Sequence, residues 1–408
     1  MSDKPRRLYY GWIILAACFL ITTFVYGLQY SLGVFLRPLQ EDFEWTRAMV
    51  TWVPALFMLF ICLFGLLAGW FTDRYGPRTM VIMAGFFIGL GLVLTSRLTA
   101  PWQVYIYYSF MVGLGVGCAG PPVFTTVSRW FTRQRGLALG IVTAGIGLGT
   151  MIMAPVARWL ISEYSWRTSC LSIGLAASVI MAAGLFLRKE PYQAPLQADD
   201  PTDHQSAPAT QGLTLLQALR TDTLWLMILL HTLAFLGLLM VMYHLVPHAE
   251  DLGLPKMTAA SLLSVIGGVS ILGRVAGGIG CDRLGKKPVF IFSLLLQAVM
   301  MVWLMEATSA WMLYVFAALW GFGYGGWAPV MPALTGELFG LRHMGSILGV
   351  VSISFGIGGI AGPIIAGHIY TATGSYNTAW LIAAVAMFLA AMIMLFLRQP
   401  RIAARAKS

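Results

Sequence analysis

The chain has 408 residues, of which 58% are hydrophobic and only 10% charged, a balance that excludes a soluble domain of this size. Its formal charge of +10 invites a nucleic-acid reading, but the basic residues fall where the positive-inside rule puts them in a membrane protein, so nucleic acid is excluded as a partner. The five cysteines (Cys18, Cys62, Cys118, Cys170, Cys281) are odd in number and the first four lie inside apolar runs, so they make no disulfide framework.

Met1 to Tyr10 is short and basic, with Lys4, Arg6 and Arg7, and Gly11 to Leu36 is the first apolar run. Leu15-Ala16-Ala17-Cys18 resembles a lipoprotein cleavage box, yet the apolar run continues far past Cys18, which predicts an uncleaved first helix. Further spans are expected at about 46–72, 79–98, 102–128, 135–161, 166–187, 223–247, 257–280, 287–305, 310–336, 343–369 and 376–397, twelve in all. Between the sixth and seventh, Lys189 to Arg220 is polar, Pro-rich and acidic, which predicts a flexible cytoplasmic linker over 189–220. It separates an N-terminal six-helix half, 1–188, from a C-terminal one, 221–408. With both termini placed inside, 19 Lys and Arg fall inside and 6 outside, an asymmetry that predicts cytoplasmic termini in a multi-pass cell-membrane protein.

One cation remains. Thr258 to Gly280 is long enough to span a bilayer core of ~30 Å at ~1.5 Å per residue, and Arg274 is its sole charge. It stands eight residues before Asp282, about 12 Å in from that end. A guanidinium at that depth costs roughly 2.5–3.5 kcal/mol on insertion scales. It therefore needs an anion, a ring of carbonyls or a water-filled cavity. Every Asp and Glu lies at a membrane edge or in a loop, so the expected anion is a substrate.

The halves align at a single offset of 209 residues. Pro38 pairs with Pro247, Asp73-Arg74-Tyr75-Gly76 with Asp282-Arg283-Leu284-Gly285, Gly136 with Gly345, Gly140 with Gly349, and Gly147 and Gly149 with Gly356 and Gly358. A parallel repeat of six helices with a site between the halves is a common build of secondary transporters.

The segments Gly69–Arg78 (GWFTDRYGPR) and Gly277–Lys287 (GGIGCDRLGKK) resemble the two copies of the loop signature of the major facilitator superfamily. That resemblance implies an all-α membrane fold of twelve helices in two pseudo-symmetric halves, with Asp73, Arg74, Asp282 and Arg283 as conformational gate residues. LYYGWIIL near the start and Arg129–Gly149 (RWFTRQRGLALGIVTAGIGLG) are similar to the monocarboxylate transporter family, especially bacterial members, and to the related oxalate/formate antiporters. In that family a span-eight arginine holds the substrate carboxylate, and Arg274 stands at the matching place. The antiporters carry a span-eleven lysine where this chain has Ser354, so one cation here implies a monoanion. Animal members have a span-one lysine where this chain has Tyr30. They also have an aspartate one turn before the arginine where it has Ser270. Their proton relay is therefore not carried over.

With no membrane carboxylate, proton coupling is assigned to His244, near the outer end of span seven, where the resemblance also places a histidine; its unperturbed pKa lies near ~6.5. His231 is the alternative. Thirteen residues at ~100° each put the two on different faces, so only one is expected to line the cavity. The substrate arriving as its own acid is a third route. Tyr324 and Trp327, in the Gly-rich stretch WGFGYGGWAP, are expected to contact the ligand, with Gln29, Tyr30, Cys118, Ser270 and Ser354. Gly321-x-Gly323-x-x-Gly326 imitates a dinucleotide fingerprint but follows no strand, and Gly280-x4-Gly285-Lys286-Lys287 imitates a P-loop without its Ser/Thr. No nucleotide, cofactor or metal is implied, nor an enzyme, since no Ser/His dyad or HExxH lies in the spans. The expectation is a secondary transporter of a small monocarboxylate, lactate- or pyruvate-like, coupled to protons. Anion exchange of the oxalate/formate type is the alternative, and a non-transporting carboxylate sensor a more distant one.

Overall fold

The computed structural model describes residues 10–44, 47–131, 134–188 and 212–398. Lys4, Arg6, Arg7, Arg133, linker residues 189–211 and the basic tail from 399 onward lie outside the described residues. Backbone that crosses lipid must satisfy its hydrogen bonds internally, and each long apolar run does so as a helix. In the N-terminal half these are α1 (Tyr10–Phe43), α2 (Arg47–Tyr75), α3 (Pro77–Thr95), α4 (Tyr105–Trp130), α5 (Arg135–Glu163) and α6 (Trp166–Leu185). In the C-terminal half they are α7 (Asp222–Asp251), α8 (Lys256–Arg283), α9 (Lys286–Met305), α10 (Ala310–Trp327, continued by Val330–Phe339), α11 (Met344–Thr373) and α12 (Asn377–Phe396).

Among the described residues, 11 of these helices are long and apolar enough to cross a membrane. The twelfth, α10, falls short because Trp320, Trp327 and the glycines between them dilute its apolar content. Its helix also breaks at Ala328–Pro329, where Pro329 supplies no backbone donor.

The linker expected to be flexible through Arg220 is ordered from Gly212. Leu213 N–H donates to Phe339 O at 2.9 Å. Thr214 then opens a short helix, Leu215–Leu219, with a reciprocal capping box to Gln217. The polar composition that reads as linker here supplies the cap.

The 209-residue repeat is visible in the backbone. Gly76 (φ 89°, ψ 165°) and Gly285 (φ 94°, ψ 161°) make the same left-handed turn into α3 and α9, a conformation that favours glycine. Each half has its own apolar core, one around Ile21, Phe57 and Val142 and the other around Leu230, Ile266 and Trp380. The halves touch along two related seams, α5 against α8 and α2 against α11.

Candidate functional site

The seams are built on glycine. At Gly278 a Cβ would lie 2.5 Å from Gly136 O and 3.0 Å from the Gly140 Cα, so α8 and α5 meet backbone to backbone. The related seam brings Gly349 of α11 against the backbone of Gly65 and Leu66 on α2.

At the end of the bundle that carries the α2–α3 and α8–α9 loops, two aspartates lock these seams. Asp282 accepts from Gly136 N and Leu137 N, both at 2.8 Å, at the first turn of α5. Asp73 accepts from Gly345 N at 3.2 Å and from Ser346 N and Oγ, both at 2.7 Å, at the first turn of α11. The donors Gly345 and Ser346 stand 209 residues after Gly136 and Leu137, as Asp282 does after Asp73. Each carboxylate thus caps a helix of the opposite half, where free N–H groups and the helix dipole favour negative charge.

Arg74 and Arg283, expected to share this gate, do not line it. Both are exposed, and Arg74 lies over the rings of Trp70 and Tyr75 at 5.5 Å each. An arginine that does cross is Arg129, which sequence reasoning did not assign to the gate. It pairs with Asp73 at 3.0 Å and donates to Leu341 O and Arg342 O of the other half. Its position in the RWFTRQRG motif was the available signal. Lys286 pairs with Glu337, and Lys287 donates to Leu397 O, so the P-loop imitation is occupied by structural contacts.

Beyond the lock, about midway along the bundle, lies a cavity of about 200 Å³ between the halves. Arg274 lines it and is 1% exposed. Its guanidinium carbon sits 4.7 Å over the Tyr324 ring, a favourable cation–π arrangement. Its Nε and Nη2 have no hydrogen-bond partner, and no Asp or Glu is among the described lining residues. Tyr30 of α1 lines the cavity from the other half, opposite Tyr324. Gln29 lines the same wall with both amide atoms unpartnered. Here a buried cation, an amide and two phenols surround a space suited to a small anion.

Trp327 and Ser354 also line the cavity. The Trp327 indole donates to Gln297 Oε1 at 2.9 Å, and the Ser354 hydroxyl donates to Val351 O at 2.6 Å. Three expected contacts lie elsewhere. Ser270 is fully buried in the seam, its hydroxyl donating to Gly267 O at 2.7 Å beside Gly147; one turn from Arg274 along a helix does not guarantee the same neighbour. Cys118 packs into the N-terminal core, although Gly117 and Gly120 around it line the cavity.

His244 also lies outside the lining. Its Nε2 bonds Pro363 O at 3.0 Å and its Nδ1 meets the Tyr376 hydroxyl at 3.3 Å. The face of α7 that packs on α11 takes it. The histidine in the lining is His231, 2% exposed, set against Phe235, Phe290 and Trp327. Sequence reasoning also passed over Tyr26 and Phe235 in the lining. Each is four residues from another lining residue, Tyr30 and His231, a spacing that shares one helix face.

The chain matches the model of the Major Facilitator Superfamily over residues 18–287 and 277–408. Monocarboxylate transporter 13 of Bos taurus is 30% identical over 379 residues, covering 92% of this chain and 86% of that protein. Monocarboxylate transporter 12 of Xenopus laevis is 25% identical over 420 residues, covering 97% and 91%. Among solved structures, the proton:xylose symporter XylE bound to 6-bromo-6-deoxy-D-glucose superposes with a TM-score of 0.81 at 17% identity, covering 96% of each chain. The transporter FucP in the outward conformation superposes at 0.75 and 16%, covering 96% of this chain and 100% of that one. At those identities the structural likeness carries the fold alone.

Proposed function

The chain belongs to the major facilitator superfamily and, within it, to the monocarboxylate transporters, and from that premise we propose that it moves a lactate- or pyruvate-like monocarboxylate across the cell membrane by proton-coupled alternating access. It is a multi-pass membrane transporter and not an enzyme. The observation that carries the substrate reading is Arg274, a buried guanidinium facing the cavity with two nitrogens unpartnered. A carboxylate supplies the bidentate, charge-assisted partner that this geometry lacks.

In the proposed cycle the anion enters with a proton, and binding neutralises a cation whose charge otherwise opposes movement of the halves. Arg274 and Asp282 share α8, eight residues apart, and α8 passes so close to α5 that a Cβ on Gly140 of the other half would lie 2.6 Å from the Arg274 carbonyl oxygen. A ligand at Arg274 therefore acts on the helix that carries one lock. With both termini cytoplasmic, the locked end is the cytoplasmic one, and the described conformation is closed to the cytoplasm. The proton is carried by a histidine, His244 or His231, or by the substrate as its acid.

Uptake of labelled L-lactate into proteoliposomes, with and without an inward proton gradient, tests this reading. Concentrative uptake that collapses with the gradient is the expected result, and His244→Ala then tests whether that residue carries the proton. Uptake that depends on an internal carboxylate and ignores the gradient points instead to exchange, a reading favoured by the absence of Asp and Glu from the described cavity lining.

A further inference from the structure

The cavity has a second polar pole that the Arg274 reading leaves unused. Both ring nitrogens of His231 are buried and unpartnered. Its neighbours are aromatic: Phe235 at 5.5 Å, Phe290 at 6.1 Å and Trp327 at 5.7 Å between ring centroids. A histidine so placed forgoes its hydrogen bonds, a cost that leucine or phenylalanine at the same position would not incur. The cost has a use only where a partner arrives from outside the chain, and His231 lines the cavity.

The two poles belong to one site. Arg274 lies over Tyr324, and the Tyr324 and Trp327 rings are 6.1 Å apart on the same face of α10. His231 packs against Trp327, 5.7 Å between ring centroids, and lines the same cavity as Arg274 and Tyr324. The Trp327 indole is fixed by Gln297, so Trp327 presents a rigid wall and does not itself satisfy the imidazole. The indole and the phenol offer flat apolar surface between a cation at one pole and a hydrogen-bonding ring at the other. A neutral imidazole offers one donor and one acceptor together. That pair complements a hydroxyl, which both donates and accepts, and its donor alone serves a ketone. It offers nothing to a plain alkyl chain.

Resting on the monocarboxylate reading, we infer that His231 is a second substrate contact and sets specificity, so that the site selects monocarboxylates carrying a hydroxyl or keto group over their unsubstituted counterparts. Arg274 holds the carboxylate, the Tyr324–Trp327 wall packs the carbon body, and His231 bonds the second polar group.

The test is a hydroxyl scan on the purified full-length protein. Equilibrium binding of butyrate is compared with that of 2-, 3- and 4-hydroxybutyrate, for wild type, His231→Phe and His231→Gln. The wild type is expected to bind its preferred hydroxy isomer about tenfold more tightly than butyrate, the scale of one added neutral hydrogen bond. His231→Phe is expected to bring that ratio near one, and His231→Gln, which retains a donor and an acceptor, to keep part of it. The ratio is read within a single protein, so general damage to the fold does not imitate the effect. If the Phe variant does not fold, the same ratio measured in the Gln variant decides: a value below wild type supports the role and an unchanged value removes it. A wild-type ratio near one for every isomer, or a ratio that survives His231→Phe, overturns the inference while leaving carboxylate transport standing. Failure of all four acids to bind the wild type overturns the monocarboxylate reading and this inference with it.

Discussion

Replacing Asp73 with alanine removes one of the two locks between the halves. The carboxylate accepts from Gly345 N, Ser346 N, Ser346 Oγ and Arg129, and its side chain is only 8% exposed. A hydrogen bond is worth about 4–6 kcal/mol before competition from water, and one to a charged group about 1.5–3 kcal/mol net. On opening, the donors and the carboxylate recover solvation, which cancels a large part of the gross value. A net loss of about 2–4 kcal/mol remains, in the range for breaking partly buried charged contacts. At about 1.4 kcal/mol per tenfold, that moves the closed-to-open equilibrium at this end by roughly 30- to 800-fold. The assay is a pair of spin labels, one on each half at the locked end, read as a distance distribution in detergent and in lipid. The wild type is expected to populate the short distance and Asp73→Ala the long one. Asp282→Ala is expected to shift the distribution in the same direction. An unchanged distribution in Asp73→Ala would show that the helix-capping contacts do not hold this end shut, and the lock would be reduced to a static surface feature.

Gly278→Val places a branched side chain where a single Cβ already lies 2.5 Å from Gly136 O. Overpacking of about 1–3 kcal/mol is expected to separate α8 from α5, and a cysteine pair across that seam should then lose its cross-link; an undiminished cross-link would contradict the backbone-to-backbone seam. At the other end of the bundle, hydrogen bonds from the Arg167 and Trp166 side chains hold the Asp42 carboxyl below the usual carboxylate range. Because the folded pKa is depressed, this tie contributes stability above the unfolded value of about 3.9 and loses it as pH falls through the lower folded value. Thermal melting of the wild type from pH 6 down to 3 should therefore include a component that Asp42→Asn lacks, and superimposable profiles for the two proteins would remove the tie.

The spans were legible because twenty or so apolar residues in sequence have few other fates, and the repeat was legible because glycine and aspartate cannot be exchanged freely at tight turns. Gly76 and Gly285 show why, with nearly equal positive φ in both halves. The α10 helix was legible from its place in the pattern even though its glycines and tryptophans weaken the hydropathy signal. The partners of Asp73 and Asp282 were not legible. The motif names the acceptor, but the donors are backbone amides of the opposite half, which belong to one arrangement of the two halves. The choice between His231 and His244 was hidden for a related reason. Helical spacing says that they face different ways, but only packing decides which way is inward. Pro363 O and Tyr376 take His244, and the cavity takes His231. Arg129 was visible as a basic residue in a motif, yet its reach to Leu341 O and Arg342 O depends on the closed lock.

The most direct test of the central claim is binding of a monocarboxylate by wild type and by Arg274→Ala, measured on purified protein whose melting temperature confirms that the variant is folded. Two charge-assisted hydrogen bonds to a desolvated carboxylate are worth about 3–6 kcal/mol, so affinity is expected to fall by at least about 100-fold. Removing an unpaired buried cation should leave the fold intact or more stable. A folded Arg274→Ala protein that binds the same carboxylate within a few-fold of wild type would contradict the account at its root.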